Sequence, residues 1–176
     1  MPNDPTVNDN DVPIFMVSVD GTHCRVNEPR HPTMKKNPAY YSHKTHQAGL
    51  THEIALSVFE CRIVWTNGPF PASINDKTVF NQGLAQQIPD GKLAVTDRGY
   101  RGSEKCSIPN SLDSEELRRF KSRARSRQEV LNSRLKRFKA LDNRFRHGVG
   151  KHQIVFEAIC VITQYQLENG LPLFNV

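Results

Sequence analysis

The stretch from Ser114 to Asn143 constrains this chain more than any other. Ser111 to Ser114, with Glu115 and Glu116 behind them, offer a helix cap and an acidic first turn. Leu117, Phe120, Ala124, Leu131, Leu135 and Phe138 then recur on one face, which predicts a long helix to about Asn143. Its charge is just as one-sided. Between Leu117 and Lys151 there are 13 Lys or Arg and 2 acids, a local +11, while the other 11 basic and 16 acidic residues sum to −5. A concentrated basic stripe points to a polyanionic partner, DNA or RNA, with a solvated basic face as the alternative. Arg123, Arg125, Arg127 and Lys136 are the cations expected on a nucleic-acid backbone.

One of the two acids, Glu129, sits among those bases, off the apolar stripe and on the side of Arg125, Asn132, Ser133 and Lys136. It is expected to face a polar cleft or solvent. Two roles are open to it. It could pair with Arg125 one turn back and relieve like-charge repulsion, or it could help hold a cation working on a phosphodiester that the bases grip.

Two short β-forming runs frame the second role. Residues 13–19 (PIFMVSV) predict a buried strand stopping at Asp20-Gly21-Thr22, and Lys92 to Thr96 predict another running into Asp97. Neighbouring strand ends in an open sheet bring such acids within a few ångströms of each other. Each acid before a small residue is also an ordinary turn residue. Between them, Gln47 to Phe59 and Arg62 to Trp65 predict a strand pair, and Asn67 to Pro71 (NGPFP) a turn. A helix capped by Asn75 or Asp76 follows, to Ile88. A last helix from about Lys151 to Glu168 takes Ile154, Val155, Ala158, Ile159, Ile162 and Tyr165 as its packing side. Pro29, Pro32 and Pro38 exclude a helix through Arg30 to Lys36, leaving a surface loop.

At 176 residues the chain is most simply one domain with a real core, residues 13–176 after a disordered polar lead over 1–12. Cys24, Cys61, Cys106 and Cys160 have no Cys-x-x-Cys spacing, which argues for reduced thiols and against a zinc knuckle. No signal peptide and no run of eighteen apolar residues is present, so no membrane span and an intracellular protein are expected. His43, His46 and His52 read as surface or hydrogen-bonded histidines rather than a metal set, and Trp65 and Tyr100 as core or site-wall aromatics.

Five segments in order carry a family resemblance: Val19 to Thr22 (VDGT), Val64 to Asp76 (VWTNGPFPASIND), Val95 to Tyr100 (VTDRGY), Arg125 to Glu129 (RSRQE) with Leu135 and Lys136, and Gln164 to Phe174 (QYQLENGLPLF). From about Ile14 onward the chain resembles the DDE superfamily endonuclease domain of Harbinger-type transposases. The resemblance implies an α/β, RNase H-like mixed sheet flanked by helices, with the long basic helix near the C-terminus. It implies a divalent-metal-dependent nuclease of transposase type, whose Asp20, Asp97 and Glu129 hold two Mg²⁺ ions, with Mn²⁺ as substitute, for phosphodiester cleavage or strand transfer. Asp76 has an acidic counterpart in the family pattern, although a helix cap already explains it. DNA is the implied substrate, a Myb/SANT-like DNA-binding protein and a second copy of the chain are candidate partners, and the nucleus, with a cytoplasmic fraction, is the implied location. Family members carry a helical DNA-binding module ahead of the nuclease domain, whereas 19 residues precede Asp20 here. The competing reading is a catalytically silent, transposon-derived DNA-binding or protein-interaction module.

Overall fold

A computed structural model describes residues 4, 6–7, 14–27, 37–43 and 45–176. The expected lead over 1–12, apart from Asp4, Thr6 and Val7, and the expected loop through Arg30 to Lys36 lie outside the described residues. Six strands form one mixed sheet: β1 (Phe15–Arg25), β2 (Tyr41–Ser42), β3 (Gln47–Ser57), β4 (Ile63–Pro71), β5 (Leu93–Val95) and β6 (Cys106–Ser107). β1 lies between antiparallel β3 and parallel β5, β6 extends the sheet beyond β5, and β3 also pairs antiparallel with β2 and β4.

Helices cover both faces. α1 (Asp76–Gln82) and a 3-10 turn at Leu84–Gln86 lie on one, where Val17, Val19, Ala55 and Ala94 pack against Phe80, Leu84, Ile88 and Tyr100. α2 (Glu115–Lys136), the short α3 (Lys139–Asp142) and α4 (His152–Glu168) lie on the other, where Cys24, Ile54 and Leu56 meet Leu131, Leu135, Leu141, Phe156 and Leu167. β3 is buried along Gly49–Ser57 because it is central and covered on both sides.

Several sequence expectations change. β1 does not stop at Asp20 but runs on to Arg25, since Thr22 and Cys24 find partners on α2 that outweigh the Asp-Gly turn signal. Asn67 to Pro71 is the end of β4 and not a turn; among the described residues β4 pairs only with β3, and an edge strand tolerates proline. The helix expected to Ile88 ends at Gln82, and the one expected to Asn143 ends at Lys136 and restarts as α3. α4 buries Phe156, Ile159, Cys160, Thr163 and Leu167, whereas Ile154, Ala158, Ile162 and Tyr165 of its expected packing side are exposed.

His52 and His152 form a buried pair, 2.9 Å between ring nitrogens, with His52 stacked on Phe156 at 3.8 Å. His46 contacts the Tyr41 hydroxyl at 3.3 Å. All four cysteines are free thiols. No described helix is long and apolar enough to cross a membrane.

Candidate active site

The parallel pairing of β1 with β5 sets the site. Ser18 is in register with Val95, so Asp20 and Asp97 both stand two residues further along adjacent chain segments. β5 ends at Val95, and Asp97 caps the 3-10 turn Arg98–Tyr100, its Oδ1 accepting the Gly99 N–H at 2.8 Å. Tyr100 anchors that turn from below, buried and edge-on to Phe80 at 5.7 Å. Asp97 itself is exposed.

α2 is held to β1 by polar side chains one helical turn apart. Ser18 Oγ donates to Gln128 Oε1 at 2.9 Å, and Gln128 Nε2 donates to the Ile54 carbonyl at 3.3 Å. Asn132 Nδ2 donates to Asp20 Oδ2 at 2.7 Å and its Oδ1 accepts from Thr22 Oγ1 at 2.9 Å. The other Asp20 oxygen takes the Gly21 N–H at 2.8 Å. Asp20 is thereby oriented by donors on its own strand and on α2. Glu129, next to the buried Gln128, is exposed and lines one small cavity of ≈ 60 Å³ together with Asp20, Asp97 and Arg125. Among the described residues neither Glu129 nor Arg125 takes part in an ion pair. The charge-balancing role for Glu129 therefore finds no support in the geometry.

Two further carboxylates lie on the opposite face of β1. The cap of α1 is Asn75, whose Oδ1 accepts the Lys77 N–H at 2.9 Å, so the capping role does not belong to Asp76. Asp76 instead faces two glycines. A side chain on Gly21 would start 2.7 Å from Asp76 Oδ1, and one on Gly99 would start 3.8 Å from Asp76 Oδ2 and 3.0 Å from Asp97 Oδ1. These glycines keep open the space into which both carboxylates point. Glu53 on β3 is 2 % exposed, accepts from Trp65 Nε1 at 2.9 Å through Oε2, and has no hydrogen-bond partner on Oε1 among the described residues.

Burial pushes the Glu53 carboxyl up to about 7, with Asp76 adding to the effect and the Trp65 hydrogen bond opposing it. Burial also raises the Tyr100 hydroxyl, helped by the charges of Asp76, Glu53, Asp20 and Asp97, so it stays protonated. The folded chain holds a proton on Glu53 that the unfolded chain releases near the ordinary value of 4.5. Stability from this group is therefore present below 4.5 and lost as pH rises toward 7. The histidine pair acts in the opposite sense. Burial lowers His52 to about 3 and His152 to about 4, so their contribution is complete above 6.5 and lost on acidification toward those values. Glu53→Gln is expected to raise stability at pH 8 by on the order of 2–3 kcal/mol and to change it little at pH 4. Thermal melts of both proteins across that range are the measurement; an offset equal at both ends would refute the protonated Glu53.

The cations of α2 sort into two groups. Arg127 is 2 % exposed, its guanidinium donating to the carbonyls of Ser57 at 2.7 Å, Val58 and Glu60. Lys136 is turned inward onto the carbonyls of His23 and Leu141. Both were expected on a nucleic-acid backbone, and both are spent inside the molecule, where the ends of β3 and β1 offer carbonyls that need donors. Lys121 is buried against Asp113 at 2.9 Å. Arg123 remains at the surface, its Nε on the Asn175 carbonyl and its guanidinium 5.1 Å from the centre of the Phe174 ring. The guanidinium groups of Arg118 and Arg125, seven residues apart on one helix face, make no hydrogen bond or ion pair to described residues. With Arg98, Asn110 and Ser122 they line a groove of ≈ 370 Å³ that meets the acid cavity at Arg125.

Sequence reasoning missed Glu53, Gln128 and Asn132 as parts of the site and set Asp76 aside as a cap. The available signal was the four-residue spacing of Gln128 and Asn132 on a helix face otherwise apolar at Ala124, Leu131 and Leu135.

The model of the DDE superfamily endonuclease family matches residues 19–164, a span holding all of these side chains. The chain belongs to that family. No curated protein and no solved structure matches it.

Proposed function

We propose that this chain is a divalent-metal-dependent DNA endonuclease or strand-transferase of transposase type, Harbinger-like in its motifs, with one RNase H-like domain over 13–176. Asp20, Asp97 and Glu129 are its Asp-Asp-Glu triad. The observation that carries the reading is that these acids, from three elements, line one cavity that opens through Arg125 into a groove of unpartnered arginines. Carboxylate oxygens are the donor set for a hard cation such as Mg²⁺, with Mn²⁺ as substitute. Among the described residues no three such side chains are gathered into a ready-made metal site. Exposed Asp97 and Glu129 are the donors with room to turn toward Asp20, which Asn132 holds in place. Two ions held there would supply the charge that activates the attacking oxygen and stabilises the departing one.

Arg125 stands beside the cavity to hold the phosphate at the scission point, and Arg118 and Arg98 take the flanking phosphates. This path replaces the one expected through Arg127 and Lys136. Residence in the nucleus and a Myb/SANT-like DNA-binding partner belong to the same reading. A second reading, a silent transposon-derived DNA-binding or interaction module, draws support from the dispersed carboxylates. Incubation of the purified chain with supercoiled plasmid separates the two: nicking that needs Mg²⁺ or Mn²⁺ and stops with chelator is expected, and salt-sensitive binding without nicking would leave only the second.

A further inference from the structure

α4 carries an apolar face that the fold leaves uncovered. Ile154 and Val161 are each 69 % exposed and Tyr165 is 66 % exposed, with Ala158 exposed between them. A lone exposed apolar residue is ordinary, but four along one line mark a contact surface. Their spacing is 4, 3 and 4, the repeat of the seam between two packed helices. The strip widens onto β4 at the exposed Val64, across a groove of ≈ 370 Å³ also lined by Glu157, Val161 and Gln164.

We infer that this face joins two copies of the chain, α4 packing antiparallel on α4 about a two-fold axis. The sequence of the strip is symmetric about the midpoint between Ile159 and Cys160. Reversal about that point exchanges Ile154 with Tyr165, Ala158 with Val161, and Lys151 with Glu168. In the antiparallel pair Ile154 therefore packs on Tyr165 of the partner subunit, and Ala158 on Val161 of the partner subunit at the crossing, where a small residue lets the axes come close. Exposed Lys151 and Glu168 close the strip at its two ends and meet opposite charges there. A parallel pair would set Lys151 against lysine and Glu168 against glutamate, so the charges select the antiparallel arrangement. The inference is independent of the nuclease reading, because it uses none of the residues of the acid cavity or the arginine groove.

Sedimentation velocity on the full chain, from low to high micromolar concentration, tests it. The wild type is expected to pass from monomer to dimer, and Val161→Glu to stay monomeric throughout with a nearly unchanged melting temperature, since Val161 is 69 % exposed. At low salt Lys151→Glu and Glu168→Lys are each expected to weaken association about tenfold. The double variant restores it, because the swapped charges again meet their opposites. A wild type that stays monomeric, a Val161→Glu protein that dimerises like the wild type, or a double swap as weak as the singles would each overturn the inference.

Discussion

Asp97→Asn and Glu129→Gln are each expected to lose metal-dependent nicking by about 10³-fold or more while melting within about 0.5 kcal/mol of the wild type. The two effects separate because of where these side chains stand. Both are exposed, and the Asp97 carboxylate accepts the Gly99 N–H within its turn, which an asparagine oxygen still accepts. What each substitution removes is a negative charge and a metal donor. Asp20→Asn is a poorer probe: Asp20 accepts the amide of Asn132, so an asparagine there brings donor against donor and disturbs the seam between β1 and α2 as well as the charge. Plasmid nicking under saturating Mg²⁺, run beside thermal melts, is the measurement. Full activity in either variant would remove that residue from the triad, and loss of activity together with a large drop in melting temperature would mean that the side chain is structural.

Much of this candidate site was legible because register brings acids placed by local rules to the lining of one cavity. A buried run such as PIFMVSV announces a strand, a second run announces its neighbour, and the parallel pairing of Ser18 with Val95 then brings Asp20 and Asp97 level. Glu129 was legible from its angle on the helix, which keeps it off the apolar stripe. The position of the turn signals was misleading. Asp20-Gly21 and Asn67 to Pro71 have turn composition, yet each lies in a strand, because partners distant in sequence decide whether such a segment pairs. Gly21 is there for space, not for turning: Asp76 occupies the place its side chain would take.

Helix faces were harder to read where residue type and environment disagree. α4 is apolar on most of its circumference, so periodicity alone could not say which side meets β4 and α2: of the side expected to pack, Ile159 and Val155 do, while Ile154, Ala158, Ile162 and Tyr165 are exposed. On α2 the error ran the other way. Arg127 was expected on a nucleic-acid backbone, but it is buried, as are Lys121 and Gln128, each with a specific acceptor. For Arg127 that acceptor lies 70 residues away in the chain, beyond the reach of any local pattern.

Arg127→Met is accordingly expected to act on stability and not on DNA. Methionine matches the apolar reach of the side chain but leaves the carbonyls of Ser57, Val58 and Glu60 without their donor, and the bonds to Ser57 and Val58 are buried. Leaving a buried acceptor without its donor costs about 1–3 kcal/mol, which for a chain of this size lowers the melting temperature by several degrees. Arg125→Ala is the contrasting change. Its guanidinium has no partner among the described residues and stands between the acid cavity and the arginine groove. The melting temperature should hold, while affinity for duplex DNA falls and the salt dependence of binding loses about one phosphate contact from its slope. Melting curves and binding isotherms at several salt concentrations, on both variants, decide it. If Arg127→Met weakened DNA binding in a protein as stable as the wild type, the guanidinium would have to leave its carbonyls to reach DNA. The path through Arg98, Arg118 and Arg125 would then have to include it.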